Sequence, residues 1–83
     1  MIPDNITREA VLQAIAEIDS EGIPLRRNSR IYHLVLNGRS YPPKYVISLA
    51  NKYVNGYELS PEAFTGGNQT NDFLRNLGFV IVP

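Results

Sequence analysis

The chain has 83 residues, eight basic and eight acidic side chains, 43% apolar content and no Cys, which fits one small folded domain and excludes disulfides and thiolate metal centres. A single His cannot build a metal site without several carboxylates beside it. Apolar runs of no more than four or five residues are too short to span a bilayer, and Met1-Ile2-Pro3-Asp4 lacks the basic-then-apolar layout of a secretory leader; a cytoplasmic domain without membrane contact is expected.

Thr7 is placed as the N-cap of a first helix running to about Ser20. Ile6 and Val11 are spaced as a hydrophobic staple, and Val11, Leu12, Ile15 and Ile18 recur at helical spacing. Glu9, Glu17, Asp19 and Glu21 mark its outer face, and Gly22 and Pro24 stop it. The β-branched and aromatic run from Ile31 to Leu36 predicts a strand. Asn37-Gly38 predicts a type I′ hairpin turn, because both central residues need positive φ, and Arg39-Ser40-Tyr41 is the return arm.

Pro42-Pro43 ends that arm, since neither residue can donate to a ladder, and Pro43 is suited to open a second helix running to about Val54. A helical projection gathers Lys44, Ser48, Asn51, Lys52 and Asn55 in one polar arc, expected to be the exposed strip. Tyr45, Val46, Ile47, Leu49, Ala50, Tyr53 and Val54 fill the rest, with both tyrosines expected in the core. Asn55-Gly56 supplies the stop. Ser60-Pro61-Glu62 predicts a short helix through about Phe64, and Thr65-Gly66-Gly67 a loop. A third main helix is expected from Asn68 to about Leu77, with Phe73, Leu74 and Leu77 on its apolar side and Gly78 as a left-handed stop. The apolar run Phe79–Val82 suggests a central strand buried on both faces.

The fold class expected is therefore α+β. A hairpin and a C-terminal strand form a three-stranded sheet, packed against three main helices and one short one, with the orientation of the last strand left open. Residues 1–83 are expected to be a single domain, a small module or a domain cut from a larger protein.

Charge is segregated by segment. Residues 22–57 contain no Asp or Glu but hold Arg26, Arg27, Arg30, Arg39, Lys44 and Lys52, six of the eight basic side chains. Spread over one face, such cations are either a solvated surface or a phosphate-contacting one, and the interleaved tyrosines suit either role. A second candidate is the loop of Gly66, Gly67 and Asn68 with Thr70 and Asn71 behind it. Glycines ahead of a helix N-terminus can present N–H groups to an anion, or simply make a connection that needs positive φ twice, at Gly66 and at Gly67. The Walker ending Gly-Lys-Ser/Thr is absent. Asn71 is expected to hold a neighbouring loop rather than a ligand. His33 has no nucleophile at recognisable spacing and no acid in its own segment, so no catalytic residue, metal or cofactor is expected.

Tyr41-Pro42-Pro43-Lys44-Tyr45, Ala50-Asn51, Phe64 with Gly66-Gly67, Asn71, Phe73-Leu74 and Leu77-Gly78-Phe79, taken in order, resemble the N-terminal head domain of ScoMcrA-like proteins from about residue 6 onward. That head precedes the nuclease in McrA-type HNH restriction endonucleases, bacterial enzymes that attack modified DNA. The resemblance implies a DNA-restriction setting in which cutting belongs to a downstream HNH domain and modified bases are read by other modules. The matching residues are largely structural ones.

Together these readings give two expectations. One is a non-catalytic domain that contacts the DNA phosphate backbone through the six cations, beside a downstream nuclease domain of the parent chain. The other is a docking or dimerisation module, in which the acidic first helix of one copy meets the basic segment of another.

Overall fold

A computed structural model describes all 83 residues, Met1–Pro83. Helix α1, Arg8–Glu21, is followed by strands β1, His33–Leu36, and β2, Arg39–Tyr41, then helix α2, Pro43–Asn55, a 3-10 turn at Pro61–Ala63, helix α3, Asn68–Asn76, and strand β3, Val80–Val82. The class is α+β, as the patterning predicts. The sheet order is β2-β1-β3 and every pairing is antiparallel, which settles the orientation of the last strand.

Local chemistry accounts for the boundaries. The Thr7 hydroxyl accepts from the Ala10 N–H at 3.1 Å and opens α1, satisfying one of the orphan donors of a helix start. Asn37 and Gly38 have φ of 53° and 78°, so the hairpin takes the turn its dipeptide predicts and pairs Leu34 with Tyr41. Pro42 and Pro43 turn the chain from β2 directly into α2.

Helices α1 and α2 pack against each other over the inner face of the sheet. Ala10, Val11, Ala14, Ile15 and Ile18 of α1 meet a core containing Val46, Ile47, Leu49 and Ala50 of α2, Leu34 of β1 and Ile81 of β3. Each large aliphatic side chain enclosed in this way contributes about 1.5–3 kcal/mol relative to exposure.

The structure corrects four expectations. β3 is an edge strand, not a central one: Ile81 faces the core, while Val80 and Val82 are exposed on the outer face. Its apolar run has the composition of a fully buried strand, but β1 already occupies the centre of the sheet. Second, the polar arc of α2 is not an exposed strip, because Ser48 and Asn51 are fully buried. The chain from Tyr57 to Leu59 folds back over them: Asn51 donates to the Tyr57 carbonyl at 2.8 Å, and the Leu59 N–H donates to the Ser48 carbonyl. Third, Tyr53 is exposed rather than in the core, since its hydroxyl reaches the Glu17 carboxylate. Fourth, Leu12 lies on the outer side of α1.

Candidate functional site

The loop between α1 and β1 crosses the molecule beside the N-terminal ends of α2 and α3, and a cavity of about 530 Å3 lies between the three. Arg26, Arg27 and Arg30 enter it from the loop, Lys44 from the first turn of α2, and Gly66, Gly67, Thr70 and Asn71 from the start of α3. Four of the six candidate cations and four of the five residues of the candidate anion loop thus meet in one place. Asn68 is exposed and is not part of the wall.

Arg27 is the anchored member of the set. Its side chain is only 15% exposed, donates to the Ser48 hydroxyl at 2.8 Å and stacks over Tyr45 at 4.9 Å, with the Glu58 carboxylate 3.9 Å away. Lys44 is half-buried, its ammonium 5.2 Å from the centre of the Phe64 ring. Arg26 and Arg30 are exposed and, like Lys44, form no salt bridge. Arg26 holds φ at 72°, a left-handed conformation that L side chains adopt at a cost.

Arg39 and Lys52 are in a different situation. Arg39 lies 3.2 Å from Asp19 and Lys52 lies 2.6 Å from Glu17, both carboxylates belonging to α1. The Tyr41 and Tyr53 hydroxyls donate to the same carboxylates, at 2.7 and 2.5 Å. The hydrogen bonds from Lys52 and Tyr53 hold the Glu17 carboxyl below the usual carboxylate range. The shared carboxylate raises the Lys52 ammonium and the Tyr53 phenol. Burial, and then the bond to Asp19, raise the Tyr41 phenol. These two cations tie α2 and the hairpin to α1 and do not line the cavity.

The loop before α3 is held by Thr70, one of the candidate loop residues, and by Gln69, which the sequence reading passed over. Gln69 accepts from both the N–H and the hydroxyl of Thr65, at 2.9 and 2.7 Å, and Thr70 donates to the Thr65 carbonyl at 2.7 Å. Asn71, expected to do this, makes no side-chain hydrogen bond within the chain, although only 2% of it is exposed. Ser29, whose hydroxyl donates to the Tyr32 carbonyl, orders the loop on the opposite wall. Their signal was a Thr-x-x-x-Gln spacing across a glycine pair and a Ser four residues before a strand.

The family model described as the ScoMcrA-like N-terminal head domain matches residues 4–83. The chain belongs to this family. No curated protein and no solved structure matches it. In this head domain no three His, Asp or Glu side chains are grouped to hold a metal ion, and no helix is long and apolar enough to cross a membrane. His33 is half-buried on β1, paired across the sheet with Val82 and away from the cavity.

Proposed function

We propose that this head domain is a non-catalytic accessory domain of a bacterial, cytoplasmic restriction or DNA-defence endonuclease and that it contacts the DNA phosphate backbone. Arg26, Arg27, Arg30 and Lys44 make the contact, and Arg39 and Lys52, already engaged by carboxylates, add less. Nuclease activity then belongs to a separate downstream HNH domain of the parent chain. The observation that carries this reading is the convergence of four cations, three of them without an acidic partner, on one concave surface. Such a cluster repels itself until an anion arrives, and the nucleic-acid backbone is a polyanion whose condensed counterions are released when its phosphates are neutralised.

The dimerisation alternative needs the acids of α1 free to meet a second copy. Two of its four outer-face acids, Glu17 and Asp19, instead pair within the chain, leaving only Glu9 and Glu21 for a second copy, so the DNA reading is favoured. Titration with duplex DNA at two salt concentrations tests it: about four neutralised phosphates give a slope of log affinity against log salt of roughly −3 to −4. A flat response contradicts the proposal, and a salt-sensitive dimer in sedimentation without DNA affinity supports the alternative.

A further inference from the structure

α2 and α3 both begin at the cavity, and the chain completes neither helix start. α1 is capped by Thr7 and carries Glu9 in its first turn, and the 3-10 turn is capped by Ser60 with Glu62 beside it. α2 and α3 have no side-chain cap and no acid in the first turn. In the first turn of α2 stands Lys44, a cation at the positive end of the helix dipole, which is the unfavourable sign. The first N–H groups of α3, just behind Gly66 and Gly67, have no partner within the helix.

Asn71 supplies an independent observation. Its amide, 2% exposed, bonds nothing in the chain and lines the cavity. No side-chain polar atom of the molecule is fully enclosed without a partner, so the little surface Asn71 retains lies on its amide. A nearly buried amide facing an open space is satisfied only by what enters that space.

We infer that the cavity is a nucleoside-phosphate pocket of mononucleotide size. The phosphate faces Arg26, Arg30, Lys44 and the first turn of α3, and the nucleoside reaches Asn71, whose donor and acceptor together suit a heterocycle edge. The volume of about 530 Å3 lies within the range of small-ligand pockets, and Tyr32, Pro42 and Pro43 give it an apolar wall. This deepens the backbone-contact reading and rests on it for the cations. The ligand is either a free nucleotide or the phosphorylated end of a strand.

The test is calorimetry and amide NMR on the 83-residue chain with deoxyadenosine 5′-monophosphate, deoxyadenosine, and oligonucleotides with and without a 5′-phosphate. The monophosphate is expected to bind at least ten-fold tighter than the nucleoside and to shift the amides from Gly66 to Asn71. Asn71→Leu should weaken the monophosphate at least ten-fold while leaving Tm unchanged or higher, because it removes an unpaired buried amide. Lys44→Gln, at a partly exposed position, should give a comparable loss and serves if Asn71→Leu does not fold. A ten-fold preference for the 5′-phosphorylated strand assigns the pocket to strand ends; equal strand binding beside tight monophosphate binding assigns it to free nucleotides, and both uphold it. Absence of monophosphate binding, or binding indifferent to both substitutions, overturns the pocket. If duplex binding stays salt-dependent in that case, the backbone-contact reading stands; if the monophosphate binds and duplex DNA does not, the backbone-contact reading alone fails.

Discussion

A Cβ added at Gly78 would lie 2.9 Å from the Arg8 guanidinium, on a backbone already at φ 93°. That guanidinium donates to the Leu77 carbonyl at 2.8 Å and stacks over Phe79 at 4.5 Å, so Arg8 of α1 closes the C-terminal end of α3. Arg8 can swing away from a methyl group, but the left-handed backbone cannot be relieved. Gly78→Ala is therefore expected to cost about 1–2 kcal/mol, read in urea as a lower midpoint at an unchanged slope. Gly66 makes the contrast: its φ is not positive and an added Cβ would lie 3.9 Å from the Lys44 side chain, an ordinary contact, so Gly66→Ala should leave the midpoint nearly unchanged. The need for glycine at position 78 is legible from its place after an apolar helix. The use of Arg8 is not, because its partners lie about seventy residues away and nothing local marks it.

Between elements, the seam of α1 with α2 and the hairpin is held by two carboxylates, each shared by a cation and a tyrosine: Glu17 with Lys52 and Tyr53, and Asp19 with Arg39 and Tyr41. The Glu17 carboxyl is held below its ordinary value, so its stabilisation is present above the unfolded pKa, near 4.3, and is lost as pH falls through the lower folded value. Lys52, Tyr53, Tyr41 and Tyr45 are all raised. Their stabilisation is complete below the unfolded values, near 10, and is lost as pH rises through the folded ones. Denaturant midpoints followed against pH should show a plateau with a decline at each end. Lys52→Met should shrink the acid decline by removing the main partner of Glu17, and an acid decline unchanged in that variant would contradict the assignment. Element types and the hairpin turn were readable because each depends on neighbouring residues. The burial of Ser48 and Asn51 was not: both lie on the polar arc of α2, and only the return of Tyr57–Leu59 covers them. Likewise Phe79–Val82 is apolar enough for a sheet centre, and only the strand order decides that it forms an edge.

Across the whole molecule, a formal charge of zero conceals an arrangement that sequence shows only in part. The acid-free segment identifies six cations, but which remain available depends on where the α1 carboxylates fall after folding. Glu17 and Asp19 neutralise Lys52 and Arg39 across separations of 35 and 20 residues, and the remaining four cations converge with the start of α3 on one cavity. The basic segment and the glycine loop, separate candidates along the chain, are brought to the wall of one cavity by the packing of α2 against α3. That division is the central claim, and charge-neutralising pairs test it most directly through the salt dependence of duplex binding. Arg30→Gln with Lys44→Gln should flatten the slope by about 2, since each phosphate contact contributes roughly 0.9, whereas Arg39→Gln with Lys52→Gln should leave the slope within about half a unit. Equal flattening by the two pairs, or a larger effect from Arg39 and Lys52, would contradict the account.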